Sequence, residues 1–191
     1  MKKILIVVDM QGDFACRWGV LYFDGAETVI VPISKFLATL DPNEYVAVIF
    51  TYDTHYRETY ASMPESEQFE IHCVRDEPGW QLQVDPESVP RGIAIYAIEK
   101  GVFDMYEEDS LPVRTIRAGD VSAATDRDSL LADLRAVADK AVIVGLAADY
   151  CVRDAVRGTH ARGFEVEAPA NMTKGIARQI DEVMSDLGIA A

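Results

Sequence analysis

Short, almost uninterrupted apolar runs alternate along this 191-residue chain with stretches in which apolar residues recur every three or four positions. The runs are typical of strands buried on both faces, and the spaced stretches are typical of amphipathic helices. Strands are predicted at 3–8, 46–51, 93–98 and 142–144, with a short one near 164–168. Strands alternating with helices predict an α/β three-layer sandwich, in which a mostly parallel, doubly wound sheet carries helices on both faces.

Helices are predicted at 26–40, 126–140, 150–161 and about 176–187. Pro32 must lie near the first turn of the first helix, because proline lacks the N–H that a helix interior uses. Asp126 and Asp149 are the predicted N-caps of the second and third helices. The second helix carries a predicted apolar stripe of Leu130, Leu131, Leu134 and Val137. The segments 52–91 and 101–125 fit no regular element, and loops of such length are usually functional or flexible.

The charge and length of the chain limit the partners, the location and the number of domains that we expect. A formal net charge of −14 and a pI near 4.5 repel nucleic-acid phosphates and anionic lipids, so we expect neither nucleic acid nor membrane as a partner. The first apolar run ends at Asp9, which indicates a strand and not a signal peptide, and no segment has the length of a membrane span. Three cysteines without CxxC spacing predict free thiols and a cytoplasmic protein. The length predicts one domain over 1–191.

Polar or reactive residues stand at the ends of four predicted strands. Asp9, Asp53 and Lys100 close three of them, and Cys151 follows the fourth in the first turn of a helix, after a turn of small residues. The carboxyl ends of parallel strands line the ligand crevice of such a sheet, so we expect these groups to lie together. The positive end of the helix dipole predicts a lowered pKa for the Cys151 thiol. The alternative is an inert core cysteine among solvated loop residues, which four groups at four strand ends disfavour.

A cysteine nucleophile needs a base, which is most often a histidine. His160 lies about two turns beyond Cys151 on the same helix, so it is predicted to be a surface residue. Asp9 is therefore the candidate to take the thiol proton, and Lys100 could stabilise the thiolate and hold the carboxylate. These residues predict a triad of Asp9, Lys100 and Cys151.

The remaining histidines indicate a metal site. Asp53 and His55, at positions i and i+2 of an extended chain, point to the same face, and His72 with a carboxylate such as Glu65 can return on the loop. A mixed site of this kind suits Zn²⁺, Mn²⁺ or Fe²⁺. The D-x-H pattern alone is weak, and a pair of surface residues is the alternative.

Four motifs, in this order, resemble the nicotinamidase branch of the isochorismatase-like cysteine hydrolases. The first is D-M-Q-G-D-F at 9–14. The second is a metal segment: Y-D-T-H at 52–55, P-E at 64–65 and H-C-V at 72–74. The third is E-K-G-V-F at 99–103, and the fourth is G-L-A-A-D-Y-C-V at 145–152. The resemblance covers most of the chain.

This resemblance implies an isochorismatase-like fold and the hydrolysis of nicotinamide to nicotinate and ammonia, through a thioester on Cys151, in pyridine nucleotide biosynthesis. It implies one divalent ion, with Zn²⁺ favoured and Mn²⁺ or Fe²⁺ as alternatives. The implied metal ligands are Asp53, His55 and His72, with Glu65 as a further ligand. The implied ring-binding residues are Phe14, Phe69 and Phe103, and the implied oxyanion hole is the backbone N–H of Ala147 and Cys151, with a cis Leu146–Ala147 peptide. The expected partner is a small carboxamide, and homo-oligomer formation stays open.

The sequence departs from the family at two places. Ala148 stands where Thr or Ser is common, and an acidic tract at 104–109 follows Phe103. The nearest alternative is a related cysteine hydrolase that acts on another carboxamide or a carbamoyl compound, with the metal site absent or structural. A flavodoxin-like binding domain with an inert Cys151 is a second alternative. A metal-independent vinyl-ether hydrolase is disfavoured, because it leaves Cys151 and the histidine pair without a role.

Overall fold

The computed structural model describes residues 2–109 and 111–189, and within them the chain forms one seven-stranded sheet in the order β4-β3-β2-β1-β5-β6, with β7 beside β5. The strands are β1 (Lys3–Val8), β2 (Tyr45–Asp53), β3 (Ala94–Lys100), β4 (Val113–Arg117), β5 (Lys140–Leu146), β6 (Glu165–Glu167) and β7 (Thr173–Lys174). The helices are α1 (Gly12–Ala15), α2 (Ile30–Ala38), α3 (Arg127–Arg135), α4 (Cys151–Ala161) and α5 (Ile180–Asp186). The predicted α/β sandwich is confirmed.

Strand β1 lies at the centre of the sheet and pairs in parallel with β2 and β5. Its residues alternate between two buried clusters, because successive side chains of a strand point to opposite faces. Ile4 and Ile6 pack into the cluster that contains residues of α3, α4 and α5, whereas Leu5 and Val7 pack into the cluster that contains residues of α2. The sheet is thus covered on both faces, which leaves the carboxyl ends of its strands as the accessible edge.

The predicted strands match the sheet, with differences at their ends. Strand β1 occupies the predicted residues, while β2 and β3 run further than predicted, so Asp53 and Lys100 are their last residues and face each other in the register. The segment 101–125 was wrongly predicted to lack regular structure, because it contains β4. This antiparallel edge strand is half exposed, so its V-R-T-I-R sequence lacks the apolar run that marks the inner strands.

The helix ends are partly as predicted. Asp126 caps α3, and its carboxylate accepts the Ser129 N–H at 2.9 Å. Asp149 is not an N-cap: its carboxylate accepts backbone N–H groups of residues 176–178, and α4 begins after Tyr150. Val137 is 45% exposed, because α3 ends two residues before it. His160 is exposed, as predicted.

The remaining differences are shorter helices. A 3-10 turn over Ala26–Val29 precedes α2, so Pro32 is the third residue of the α-helix. The last helix is α5, which is shorter than the predicted 176–187. The three cysteines are free thiols, as predicted. No helix in 2–109 or 111–189 has both the length and the apolar character that crossing a bilayer requires.

The acidic tract 104–109 is hydrogen-bonded to residues of the helices α3 and α4. The buried Arg127 guanidinium donates to the carbonyls of Met105 and Glu108, and the Tyr106 hydroxyl hydrogen-bonds to Thr159 at 2.7 Å. The Tyr106 ring lies directly on Gly158, where an added Cβ would fall 1.9 Å from ring atom Cδ2. Only a residue without a side chain therefore allows this packing.

Replacing Gly158 with alanine is expected to destabilise the protein by about 1–3 kcal/mol, because the added methyl overlaps the Tyr106 ring. In an unobstructed helix the same change usually stabilises by up to about 1 kcal/mol. Urea denaturation of Gly158→Ala measures the difference. In a Tyr106→Ala background the alanine is expected to be neutral or stabilising, and equal destabilisation in both backgrounds would show that the ring contact is not the cause.

Candidate active site

Three side chains come together around the Lys100 ammonium. Its Nζ lies 2.9 Å from Asp9 Oδ2, 3.5 Å from Asp53 Oδ1 and 3.6 Å from Cys151 Sγ. All four residues are buried. The register of β2 and β3 sets Asp53 beside Lys100, while β1 and β5 bring Asp9 and Cys151 to the same edge. The structure thus assembles the residues of the predicted triad and joins them to one predicted metal ligand.

Asp9 is held by its backbone and by a hydroxyl. Its φ of +46° lies in the left-handed region, which is uncommon for a residue with a side chain and costs roughly 1–3 kcal/mol. The Thr51 hydroxyl donates to Asp9 Oδ1 at 2.5 Å and accepts the Asp9 N–H at 3.2 Å. Thr51 therefore fixes one carboxylate oxygen, which leaves Oδ2 for the ammonium of Lys100.

A close backbone approach places Cys151. Gly145 has a φ of +128°, and a Cβ there would fall 2.1 Å from the Val8 carbonyl oxygen, so only glycine lets β5 pass β1 before the turn. Within the described residues, the N–H groups of Ala147 and Cys151 donate to no protein acceptor, so both are free to bind an oxyanion. The Leu146–Ala147 peptide is trans, and the predicted cis bond is wrong; a trans bond avoids the roughly 3–4 kcal/mol that a non-proline cis bond costs.

The thiol and the ammonium have displaced pKa values. Burial raises the pKa of Cys151 well above its usual range; Lys100 opposes this effect, while Asp9 and Asp53 add to it. The lowered pKa predicted from the helix dipole is therefore wrong, because desolvation and two carboxylates outweigh the favourable charges. Burial alone would lower the pKa of Lys100, but Asp53 and Asp9 hold it well above the usual range. The site therefore rests with a neutral thiol beside a charged lysine.

The four predicted metal ligands form one buried cluster. One ligand atom from each of Asp53, His55, Glu65 and His72 lies within 4.8 Å of the others. The Nε2 atom of His72 is 3.0 Å from Asp53 Oδ2 and 3.5 Å from Glu65 Oε1, and the Nε2 atom of His55 is 3.4 Å from Asp53 Oδ2 and 3.6 Å from Glu65 Oε2. The donor set of two imidazoles and two carboxylates suits Zn²⁺, Mn²⁺ or Fe²⁺.

The hydrogen bonding of this cluster fits a bound cation. Several buried polar atoms of the cluster have no hydrogen-bond partner among the described residues. These atoms are Asp53 Oδ1, both ring nitrogens of His55 and both carboxylate oxygens of Glu65. Such atoms are rare in native structures, and a divalent cation would satisfy them. The Glu70 carbonyl lies 2.8 Å from His72 Nδ1, which leaves Nε2 facing the cluster. Burial opposes the charged form of His72, but Asp53 and Glu65 raise its pKa to about 10, which shows how strongly the cluster attracts a positive charge.

An apolar cavity of about 220 Å³ opens beside Cys151. The three predicted ring-binding residues, Phe14, Phe69 and Phe103, all line it. The rings of Phe69 and Phe103 meet edge to face with centroids 5.7 Å apart, and Phe14 meets His72 in the same way at 5.4 Å. The remaining lining residues are Val20, Leu21, Tyr22, Phe23, Leu146, Ala147, Tyr150, Cys151 and Ile176. No lysine or arginine is among the described residues that form this wall.

Sequence reasoning missed several residues that shape the site. Thr51 orients Asp9, and the buried Gln11 and Asp13 bind backbone groups of Asp53 and Cys73. The aromatic pair Tyr22 and Phe23 lines the cavity from a segment without a recognisable motif. Gln11 and Asp13 lie inside the D-M-Q-G-D-F motif, so the motif itself was the signal that could have identified them.

Comparisons with known proteins show what this chain is similar to. A family model described as the isochorismatase domain matches residues 3–182. A nicotinamidase/pyrazinamidase of Mycobacterium tuberculosis (strain ATCC 25618 / H37Rv) is 26% identical over 183 residues, which cover 92% of this chain and 88% of that protein. A crystal structure of a pyrazinamidase of Pyrococcus horikoshii in complex with zinc matches with a TM-score of 0.69 and 24% identity, covering 98% of this chain and 95% of that chain.

A second solved structure has another activity in its name. The N-carbamoylsarcosine amidase of Thermoplasma acidophilum matches with a TM-score of 0.71 and 23% identity, covering 100% of this chain and 95% of that chain. At such identities, the two solved structures show the shared fold alone.

Proposed function

We propose that this chain, which belongs to the isochorismatase family of hydrolases, is a metal-dependent cysteine amidohydrolase that converts nicotinamide and water to nicotinate and ammonia. One observation carries the proposal. Cys151 lines an apolar cavity, and its neighbour Lys100 also contacts Asp53 of the buried ligand cluster. The cavity thus joins a nucleophile to an aromatic wall, and one ring of that wall, Phe14, contacts His72 of the ligand cluster. This reaction belongs to pyridine nucleotide biosynthesis.

In the proposed acylation step, Asp9 takes the proton of the Cys151 thiol, which the raised pKa of that thiol makes necessary. The thiolate attacks the carboxamide carbon, the C–S bond forms, and the electron pair of the C=O bond moves to oxygen. The N–H groups of Ala147 and Cys151 hold this oxyanion. When it collapses, the C–N bond breaks and the protonated Asp9 passes its proton to the departing ammonia.

The second half of the reaction hydrolyses the thioester. A water molecule gives a proton to Asp9 and attacks the same carbon, and the C–S bond breaks. Asp9 returns that proton to the departing thiolate, and the released acid loses its own proton to solvent as the carboxylate. Burial lowers the pKa of Lys100, but Asp53 and Asp9 raise it well above its usual range, so the resting site holds an ammonium beside both carboxylates. Lys100 therefore holds the Asp9 carboxylate and stabilises the thiolate.

The pyridine ring of the substrate would be held by two kinds of contact. Phe14, Phe69 and Phe103 supply apolar and edge-to-face contacts. Asp53, His55, Glu65 and His72 would hold one divalent ion, with Zn²⁺ favoured, and that ion supplies a Lewis acid for a ring nitrogen. A substrate fixed at both places presents its carboxamide to Cys151.

A cysteine hydrolase for another carboxamide or a carbamoyl compound is the second candidate, since the N-carbamoylsarcosine amidase shares the fold. A carbamoylated amino acid carries a carboxylate, which needs a cationic partner when it is buried. Among the described residues, the cavity wall has no lysine or arginine, so the wall favours an uncharged aromatic amide.

Ammonia release by the purified protein tests the proposal. Nicotinamide is expected to be hydrolysed by protein loaded with Zn²⁺, Mn²⁺ or Fe²⁺, and chelation followed by gel filtration is expected to stop the reaction until metal is returned. Benzamide, which has the same shape without the ring nitrogen, is the matched control and is expected to react about 100-fold more slowly. N-carbamoylsarcosine is expected not to react. If metal-loaded protein with an alkylatable Cys151 leaves nicotinamide intact, the substrate proposal fails.

A further inference from the structure

Two buried polar residues of the D-M-Q-G-D-F segment, Gln11 and Asp13, have no part in the proposed reaction. Asp9 acts as the base and Phe14 lines the cavity. Gln11 and Asp13 neither transfer a proton nor line the cavity. Asp13 is the simpler case: its Oδ2 accepts the N–H of Cys73 at 2.6 Å, next to His72. Gln11 is wholly buried, which for a polar side chain requires partners that use its amide.

The side-chain amide of Gln11 brackets the backbone of Asp53. Its Nε2 donates to the Asp53 carbonyl at 2.8 Å, and its Oε1 accepts the Asp53 N–H at 2.7 Å. Nε2 also donates to the Trp80 carbonyl at 3.0 Å. Both polar backbone groups of Asp53 are therefore held by one side chain, which is tied in turn to the segment that follows the metal loop.

Asp53 needs such support because its carboxylate contacts two different groups. Oδ1 lies 3.5 Å from Lys100 Nζ, while Oδ2 lies 3.0 Å from His72 Nε2. Asp53 is also the last residue of β2, where regular strand pairing stops. A small rotation of its backbone would move both oxygens, so the site depends on the orientation of this one residue.

We infer that Gln11 is a positioning residue for the cation site: it fixes the backbone of Asp53 so that one carboxylate serves the ligand cluster and Lys100 together. This inference rests on the proposed metal-dependent function. It adds that the affinity for the cation is set in part by a residue that does not touch the cation. Hydrogen-bond partners of metal ligands typically contribute about 10–100-fold to metal affinity.

The Gln11→Met variant tests this role, because methionine keeps the length and volume of the side chain and removes its amide. We expect Zn²⁺ to bind about 10–100-fold more weakly, as measured by competition with a chromophoric chelator. The visible absorption of the Co²⁺-loaded variant is expected to differ from that of the wild type, because ligand geometry changes. Neither readout depends on the activity of the enzyme.

Tyr96→Phe is the matched control. Tyr96 is equally buried in the same sheet, and its hydroxyl donates to the Ser122 carbonyl at 3.0 Å without touching the site. Its loss is expected to lower the melting temperature and to leave Zn²⁺ affinity and the Co²⁺ spectrum unchanged. A purely structural Gln11 would behave in the same way as this control.

The outcomes separate the two proposals. If the wild type binds neither Zn²⁺ nor Co²⁺, the proposed metal site and this inference fall together. If the wild type binds and Gln11→Met has the same affinity and spectrum, only the inference falls. If Gln11→Met does not fold, Gln11→Asn, which keeps an amide on a shorter side chain, is expected to show the weaker affinity. Failure of both variants to fold, even with Zn²⁺ present, would make Gln11 a structural residue and overturn the inference.

Discussion

Replacing Cys151 with alanine is expected to reduce ammonia release from nicotinamide by about 10⁴-fold or more, because no other group in the site can form the thioester. The Cys151 thiol lines the cavity and lies 3.6 Å from Lys100 Nζ, whereas Cys73 is wholly buried and is not among the described residues that line the cavity. Initial rates of the metal-loaded protein measure the loss. Zn²⁺ binding is expected to stay within a factor of about three of the wild type, since the ligand cluster does not contain Cys151.

Cys16→Ala is the matched control for this prediction. Cys16 is a half-buried thiol outside the cavity, and its Sγ contacts the side chain of Gln83 at 3.2 Å. Its removal is expected to leave the rate unchanged. A Cys151→Ala protein that keeps a tenth of the wild-type rate would rule out the thioester route and point to direct attack by water.

Replacing Lys100 with methionine is expected to abolish hydrolysis and to lower the free energy of unfolding by about 3–5 kcal/mol in metal-free protein. The change leaves the carboxylates of Asp9 and Asp53 buried without their shared counter-ion. Urea denaturation and initial rates measure the two effects. Saturation with Zn²⁺ is expected to reduce the stability loss, because a bound cation would neutralise the charge of Asp53.

Lys140→Met is the control for this change. Lys140 begins β5 in the same sheet and pairs with Glu165 and Glu167 at the surface. Exposed ion pairs contribute about 0–1 kcal/mol, so this variant is expected to be almost as stable as the wild type and fully active. Equal stability losses for the two lysine variants would show that the buried ion pairs around Lys100 do not stabilise the fold.

The sequence predicted the inner sheet well because its strands are buried on both faces. Continuous apolar runs that are too short for a helix are typical of such strands. The bounds of β1 were predicted to the residue. The strand ends then located the site, since a parallel sheet brings the carboxyl ends of its strands to one edge. The sequence predicted in this way that Asp9, Asp53, Lys100 and Cys151 lie close together, and the structure brings them together.

The errors come from features that depend on tertiary contacts. Strand β4 is a half-exposed edge strand that pairs only with β3 in the described sheet. Its sequence therefore mixes polar and apolar residues and does not indicate a strand. The sequence places Asp149 where an N-cap is expected, yet its carboxylate binds three backbone groups of a distant segment. The direction in which the Cys151 pKa shifts depends on burial and on the carboxylates of Asp9 and Asp53, which other strands bring to the site.

Partners that are not adjacent in the sequence were also beyond prediction. Gln11 binds Asp53, which is 42 positions away, and nothing in the pattern around either residue indicates the pair. The cavity-lining residues Tyr22 and Phe23 lie in a segment that could equally have been a surface turn.

The charges buried around Lys100 would balance if the ligand cluster held one doubly charged cation. Asp9, Asp53 and Glu65 bring three carboxylates into a region where Lys100 supplies one positive charge. Both imidazoles of the cluster are neutral when they bind a metal, so the side chains of the metal-bound protein would carry an excess of two negative charges. A divalent ion cancels that excess, a monovalent ion leaves half of it, and uncompensated buried charge is costly. In the proposed site, the number of carboxylates therefore favours a divalent ion, while the imidazole nitrogens favour Zn²⁺, Mn²⁺ or Fe²⁺.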